Sequence, residues 1–145
     1  MTTPAALEAF RLRHRLRVRW AEIDAQQIVF NGHYLTYFDI GITEYWRAIG
    51  MPYPEGTAGT GGDLFAVRSV INYHASARYD EFLDICVRAA KIGNSSMTFE
   101  MGIFRDAERL ISGEMVYVYA DPESKKSRPL PEKLRKAIEV WEAGG

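Results

Sequence analysis

Residues 34–49 have the spacing of an α-helix that is apolar over nearly all of its surface. Its polar residues Thr36, Asp39, Thr43 and Arg47 form one narrow stripe, at positions i, i+3, i+7 and i+11. Most other positions carry large apolar side chains, which are unfavourable in water. The rest of the chain must therefore wrap this helix on most sides, and that requirement restricts the possible folds more than any other feature.

The segments on both sides of this helix have the alternation of β-strands. In residues 13–20, the apolar Leu16, Val18 and Trp20 alternate with arginines, which predicts a half-buried strand. After a loop rich in Gly and Pro at 51–63, four segments rich in β-branched and aromatic residues follow, with very short breaks between them. Such breaks favour antiparallel hairpins. The four predicted strands cover residues 64–78, 82–93, 96–105 and 109–120.

A second, shorter helix is predicted at about 131–142, because Pro131 opens a segment with apolar residues at helical spacing. The chain is then expected to form a single domain, residues 1–145, with its core at about 13–134. The most economical packing of these elements is an α+β fold in which an antiparallel five-stranded sheet curls around the long helix.

The last predicted strand places apolar residues on both faces of this sheet. Val116 and Val118 point away from Met115, Tyr117 and Tyr119, so the outer face is expected to be apolar as well. An apolar face of that kind normally has a partner. We therefore expect an oligomer, either a homodimer or a homotetramer.

Composition argues against several classes of partner. The net charge of −1 gives no positive field for nucleic acid, and no apolar run approaches the ~18 residues that a membrane span needs. The single Cys86 and the lack of a secretory signal favour the cytoplasm, with Cys86 packed in a strand. Neither His14 nor His74 belongs to a metal-ligand spacing, so no metal and no cofactor is expected.

Asp24 is the strongest candidate for chemistry, because it lies in the loop between the first strand and the long helix. That helix is expected to start near Asn31, which is a suitable cap. Its first turn would point free backbone N–H groups and the positive end of the helix dipole toward Asp24. A carboxylate and anion-stabilising donors would then share one place.

The order of elements and the segment from Asp24 to Tyr34, together with 77–81 and 93–96, resemble the hotdog-fold acyl-CoA thioesterases of the 4-hydroxybenzoyl-CoA thioesterase family. The resemblance runs from about Arg13 to Leu134. One departure is Gln27, which stands where the family often has Gly to let the backbone and the substrate approach closely.

The resemblance implies hydrolysis of an acyl-CoA thioester to a free acid and coenzyme A. Asp24 would act either as the nucleophile, through an anhydride, or as the general base for water. Backbone N–H groups around residues 30–32 would hold the oxyanion. The implied substrate-binding residues are Gln27, Phe30, Asn31, Gly32, His33 and Tyr34, and the implied coenzyme A-binding residues are Lys91, Ser95, Ser96, Lys125, Lys126 and Arg128.

Other assignments stay open from the sequence alone. His33 either assists proton transfer or lines a pocket, and Asp39 and Glu44 on the long helix are alternative carboxylates. The acyl group could also be carried by a carrier protein, although no basic docking surface is marked. A third alternative is a non-catalytic acyl-binding module, which the unusual Gln27 would suit.

Overall fold

Five antiparallel strands form one sheet in the computed structural model, which describes residues 3–145. The strands are β1 (Leu12–Arg17), β2 (Asp63–Tyr73), β3 (Phe82–Ile92), β4 (Ser96–Arg105) and β5 (Glu108–Ala120). Their order across the sheet is β1-β3-β4-β5-β2, so β1 and β2 are its two edges. Each neighbouring pair is antiparallel, which confirms the α+β fold class and the predicted β3–β4 and β4–β5 hairpins. The hairpin expected between β2 and β3 is wrong, because β2 pairs with β5 at the edge of the sheet and β3 lies between β1 and β4.

The long helix α1 (His33–Ala48) lies against the inner face of this sheet. Gly41 allows the closest approach, since a Cβ atom there would lie 2.7 Å from a methyl carbon of Ile85 and 2.9 Å from one of Val87. The predicted wrapping of the helix is confirmed, because seven of its residues are buried. They are Tyr34, Tyr37, Phe38, Gly41, Ile42, Tyr45 and Trp46.

The second helix, α2 (Glu132–Glu142), packs on β3, and its buried Leu134 and Ile138 belong to the main hydrophobic core. Its last residue, Glu142, accepts hydrogen bonds from the hydroxyl of Tyr45 at 2.7 Å and from the N–H of Ala89 at 2.9 Å. These bonds tie α2 to α1 and to β3. Neither α1 nor α2, nor any other helix within residues 3–145, has the length and apolar character needed to cross a membrane.

Two predicted strands are too long. The first ends at Arg17 instead of Trp20, because the carboxylate of Glu22 accepts the N–H of Arg19 and turns the chain, leaving Trp20 72% exposed. The strand predicted to end at residue 78 stops at Tyr73, where the next two N–H groups both donate to the carbonyl of Leu110. A local hydrogen bond ends β1, whereas two N–H groups that share one carbonyl of the neighbouring strand end β2.

The outer face of the sheet is less apolar than predicted. Its centre carries the ion pairs Arg88–Glu100 and Arg68–Glu114, and Val116 is only half-buried. At one end, the segment before β1 covers the sheet, with Phe10 packed on Cys86 and Phe104 in one cluster. The prediction of an apolar outer face is therefore wrong at its centre, whereas the oligomer expected from it stays a prediction. Cys86 is buried as predicted.

The close approach at Gly41 generates a stability prediction. Gly41→Ala should lower the free energy of unfolding by about 1–3 kcal/mol, because the added methyl group overlaps Ile85 and Val87. The matched control is Thr36→Ala, on the exposed stripe of the same helix, which should change stability by less than about 0.5 kcal/mol. Urea denaturation checks both, and equal stability of the two variants would contradict the proposed contact.

Candidate active site

The loop that carries Asp24 is a closed, hairpin-like turn. The N–H of Asp24 donates to the carbonyl of Ile28 at 2.9 Å, and the N–H of Gln27 donates to the carbonyl of Asp24 at the same distance. An isolated antiparallel bridge between Ile23 and Val29 closes the base of the turn. Hydrogen bonds on both sides of Asp24 therefore hold its backbone in one conformation.

Gln27 takes the left-handed conformation in this turn, with φ of 65°. An L-residue with a side chain loses roughly 1–2 kcal/mol there, whereas Gly does not. This positive φ explains why the family often has Gly at this position. Gln27 adopts the same backbone conformation at a cost in strain. The carboxylate of Asp24 also accepts the N–H of Gln26 at 2.8 Å, through Oδ1.

Glu22 anchors the start of this loop to α1. Its side chain is 7% exposed, and its Oε1 accepts the N–H of Arg19 at 2.7 Å and the hydroxyl of Tyr37 at 2.9 Å. Its Oε2 accepts the guanidinium of Arg19 at 2.8 Å. Burial would raise the pKa of Glu22, but the hydrogen bonds from Arg19 and Tyr37 lower it overall. Glu22 is therefore an ionised, fully bonded carboxylate beneath the Asp24 loop.

A cleft of about 330 Å³ opens beside Asp24, between this loop, the start of α1 and the end of β2. Asp24 is half-buried at its wall. No residue within 3–145 donates to the second carboxylate oxygen, Oδ2, so this oxygen is available to a ligand. The other residues of the wall are Gln26, Ile28, Val29, Asn31, Tyr34, Tyr73, His74, Ala75 and Ser76.

A second depression, of about 540 Å³, adjoins this cleft and shares Ile28, Ala75 and Ser76 with it. Arg105 lies in its wall and donates to the carboxylate of Glu81 at 2.8 Å. The adjoining space is therefore polar, with Arg105 paired to Glu81 and the exposed Arg78 also in its wall.

The start of α1 presents free backbone donors next to the cleft. The helix begins at His33 with Gly32 as its N-cap, and no side chain caps it, so the predicted capping by Asn31 is wrong. The N–H of Phe30 is used, because it donates to the carbonyl of Glu22 at 2.9 Å. The N–H groups of Asn31 and Gly32 donate to no residue in the described part of the chain, 3–145. Of the backbone N–H groups predicted to hold the oxyanion, at residues 30–32, those of Asn31 and Gly32 are thus the two still available.

The predicted substrate-binding residues divide into two groups. Asn31 and Tyr34 line the cleft, whereas Gln27, Phe30, Gly32 and His33 lie beside it in sequence without forming its wall. The exposed ring of Phe30 folds over Gly32, where a Cβ atom would lie 2.8 Å from a ring carbon. His33 packs against the same ring edge-to-face, with 5.6 Å between the ring centroids.

Tyr34 is held firmly in the cleft wall, with 2% of its surface exposed. Its hydroxyl oxygen accepts the N–H of Ala77 at 3.0 Å, and its ring packs edge-to-face on Tyr37 and Tyr73. Burial raises the pKa of Tyr34 above its usual range. The phenol is therefore neutral throughout the physiological range.

The end of β2 supplies cleft residues that the sequence did not single out. His74, which belongs to no metal-ligand spacing in the sequence, lines the cleft, and its Nε2 lies 2.7 Å from the hydroxyl of the buried Ser112. Ser76 lines the cleft as well. The signal available in the sequence was the run of small residues after Tyr73, where the alternation of β2 fails.

The predicted coenzyme A-binding residues lie at the opposite end of the sheet from Asp24. Tyr73, at the cleft, pairs with Ile111 of β5, whereas Ser96 pairs with Val118 of the same strand. Seven residues of strand separate the two positions, or about 23 Å at 3.3 Å per residue. Within one chain, the structure does not bring these residues together with Asp24.

These residues nevertheless form one group around the start of β2 and the end of β5. The ammonium of Lys125 lies 4.7 Å from the ring centroid of Phe65, and Arg128 is paired with Asp121 at 2.8 Å. Ser95 accepts the N–H of Tyr119 through its carbonyl. The remaining members are the exposed Lys91 and Lys126 and the half-buried Ser96.

The alternative carboxylates and metal ligands find no support in the geometry. Asp39 is exposed on α1 and Glu44 is paired with Arg47 at 2.6 Å, and neither lines the cleft. Among residues 3–145, no group of three or more His, Cys, Asp or Glu side chains is arranged to hold a metal ion.

Comparison with known proteins agrees with this fold and places the chain in a family. The family model described as the thioesterase superfamily matches residues 26–112, which begins two residues after Asp24. The acyl-CoA thioester hydrolase YbgC of Escherichia coli O157:H7 is 26% identical over 124 residues, covering 84% of this chain and 91% of that protein.

Solved structures share the architecture along nearly the whole chain. A thioesterase superfamily protein from Jannaschia sp. CCS1 has a TM-score of 0.83 at 23% identity, covering 96% of each chain. A 1,4-dihydroxy-2-naphthoyl-CoA thioesterase from Synechocystis has a TM-score of 0.80 at 17% identity, covering 88% of this chain and 94% of that one. The hotdog architecture expected from the sequence is thus confirmed, and the chain belongs to the thioesterase superfamily.

Proposed function

We propose that this thioesterase hydrolyses acyl-CoA thioesters, with Asp24 as the catalytic carboxylate and free coenzyme A and a carboxylic acid as products. The observation that carries the proposal is the cleft, in which the half-buried carboxylate of Asp24 lies beside the unpaired N–H groups at the start of α1. The similarity to an acyl-CoA thioester hydrolase supports the choice of substrate.

The chemistry requires an ionised carboxylate with an accessible oxygen, and Oδ2 of Asp24 meets that requirement. As a nucleophile, this oxygen would attack the thioester carbonyl carbon, expel the thiolate and leave an anhydride that water then opens. As a general base, it would accept a proton from the attacking water instead. Both routes consume one water and release the same products.

The oxyanion that forms on either route needs fixed donors. The N–H groups of Asn31 and Gly32 supply them, because the closed Asp24 loop and α1 hold this backbone in place. The positive end of the α1 dipole adds to the stabilisation of negative charge there.

We further propose that the enzyme is a homodimer formed by pairing of β2 with its copy. The edge strand β1 carries arginine at alternate positions, which protects it from pairing. By contrast, β2 is 11 residues long and leaves Val67 59% exposed at a bulge. A homotetramer would then be a pair of such dimers.

This pairing would bring the predicted coenzyme A-binding residues to the cleft. In an antiparallel pair, the start of one β2 lies beside the end of the other. The partner subunit's Lys125, which lies over Phe65 near the start of β2, would then approach the Tyr73 end of the cleft. Cations at that position suit the phosphates of coenzyme A.

We place this activity in the cytoplasm. The only cysteine, Cys86, is a buried free thiol, as expected for a protein that works in a reducing compartment.

The role of Asp24 generates the first test of this function. Asp24→Asn should lower kcat for thiol release from a panel of short, long and aromatic acyl-CoAs by about 10³-fold, because the amide neither attacks nor accepts a proton at neutral pH. The matched control is Asp39→Asn, an exposed carboxylate on α1, which should leave kcat unchanged. Turnover that survives in Asp24→Asn would exclude Asp24. If the wild type releases no thiol from any acyl-CoA, the protein either hydrolyses acyl groups on a carrier protein or is a non-catalytic acyl-binding module.

The division of the site between subunits generates a mixing experiment. Asp24→Asn and the double variant Lys125→Ala/Lys126→Ala should each be impaired alone, the second through a raised KM. A heterodimer of the two contains one complete site, so it should recover about half of the wild-type kcat/KM. If the lysines served the cleft of their own chain, the heterodimer would contain no complete site and recover nothing. Sedimentation equilibrium confirms the assembly used.

Replacing Gln27 by Gly tests whether the Gln side chain at this position abolishes catalysis. Gln27→Gly should raise the free energy of unfolding by about 0.5–1 kcal/mol, because relief of the left-handed conformation exceeds the entropy cost of Gly. Gln26→Gly, at the neighbouring position without positive φ, should instead destabilise by a similar amount. We expect the Gln27 variant to keep its kcat, and a large gain in kcat would show that Gln27 suppresses catalysis.

A further inference from the structure

Tyr34 is the one buried tyrosine among the residues that line the Asp24 cleft, since Tyr73 is exposed. The hydroxyl oxygen of Tyr34 accepts the N–H of Ala77 at 3.0 Å, which fixes the position of the oxygen. A phenol can both accept and donate. No residue within 3–145 accepts the Tyr34 hydroxyl proton. A buried donor is costly when it is left without a partner, so this proton is available to a ligand in the cleft.

The neighbouring buried tyrosines of α1 differ from Tyr34 in this respect. Tyr37 donates its hydroxyl proton to Glu22 at 2.9 Å, and Tyr45 donates to Glu142 at 2.7 Å. Both of those protons are used inside the protein, away from the cleft wall. Of the three, only Tyr34 keeps its donor for the cleft.

The surroundings of Tyr34 also keep the phenol protonated. Burial raises its pKa most, and Tyr73 and Glu81 act in the same direction, while the N–H of Ala77 and the charge of Arg105 oppose them. A phenol of this kind is a poor proton source but a stable hydrogen-bond donor. Its ring is fixed by edge-to-face contacts with Tyr37 and Tyr73, at centroid distances of 5.8 and 5.9 Å.

We propose that the Tyr34 hydroxyl is a catalytic hydrogen-bond donor to the oxyanion of the thioester, acting with the N–H of Asn31. This inference rests on the proposed function of the cleft. When the Asp24 carboxylate or water adds to the carbonyl carbon, the C=O electron pair moves to oxygen. When the C–S bond breaks, that pair re-forms C=O and the thiolate leaves. The Tyr34 O–H bond stays intact throughout, and its hydrogen bond is strongest when the charge is on oxygen.

The test compares Tyr34→Phe with Tyr45→Phe, which removes an equally buried hydroxyl from the other end of α1. Tyr34→Phe should lower kcat for acyl-CoA hydrolysis by about 10²-fold with KM changed less than about threefold, because the donor acts on the transition state. Tyr45→Phe should keep its kcat. Equal kcat in wild type and Tyr34→Phe, or a loss confined to KM, would overturn the inference.

A binding measurement separates this inference from the proposed function. Trifluoroacetonyl-CoA, a ketone that is readily hydrated to a tetrahedral centre, should bind Tyr34→Phe about 10-fold or more weakly than wild type and Tyr45→Phe, as judged by calorimetry. A wild type that binds the analogue in this pattern but releases no thiol would refute hydrolysis and retain the donor. A wild type that hydrolyses acyl-CoA while Tyr34→Phe binds the analogue equally well would refute the donor alone.

If Tyr34→Phe fails to fold, a fluorinated tyrosine at position 34 provides the second variant. Fluorine lowers the pKa of the phenol but keeps the hydroxyl group in place. Because a deprotonated phenol cannot donate a hydrogen bond, the alkaline fall in kcat should begin at a lower pH than in the wild type. The same substitution at position 45 should leave the pH profile unchanged. Superimposable profiles for the wild type and the fluorinated Tyr34 protein would overturn the inference.

Discussion

Burial of α1 against the inner face of the sheet is the constraint on which the rest of the structure depends. The helix offers few polar positions, and Gly41 lets it approach β3 at van der Waals distance. Because α1 is held there, its first turn has a fixed position beside the loop that leaves β1. The donors of Asn31 and Gly32 are thus placed by core packing far from the cleft, and they require no rearrangement when charge develops.

Glu22 transmits this constraint to Asp24. Its carboxylate accepts hydrogen bonds from Arg19, just after β1, and from Tyr37 on α1. Its backbone carbonyl accepts the N–H of Phe30, on the far side of the loop. Asp24 lies only two residues away, so its backbone is fixed at both ends. The candidate active site therefore combines one fully bonded carboxylate that positions the loop with one partly free carboxylate that faces the cleft.

The sequence was sufficient for the element order, because periodicities of two and 3.6 residues distinguish strands from helices. It failed where a side-chain hydrogen bond overrides the periodicity, as where the carboxylate of Glu22 accepts the N–H of Arg19 and turns the chain before Trp20. Asp24 was identifiable from its place between a strand and a helix. His74 and Ser76 were not, since they join the cleft only because β2 ends beside α1. The resemblance assigned Asp24 and the coenzyme A-binding residues to one substrate. It did not reveal that, within one chain, these two sets of residues lie at opposite ends of the sheet.

The two edge strands of the sheet, β1 and β2, differ in whether they could pair with a second copy of the chain. The arginines of β1 make its edge unsuitable for further pairing, while β2 runs along its full length with one neighbour. In the proposed dimer, a ligand that extends from Asp24 past Tyr73 would leave the chain at the unpaired edge of β2. Lys125 lies over Phe65 near the opposite end of β2, so in the proposed dimer it would serve the cleft of the other copy through antiparallel pairing. In the proposed dimer, a long thioester substrate and an exposed edge strand would meet one requirement together, since the site would be completed across the two-fold axis.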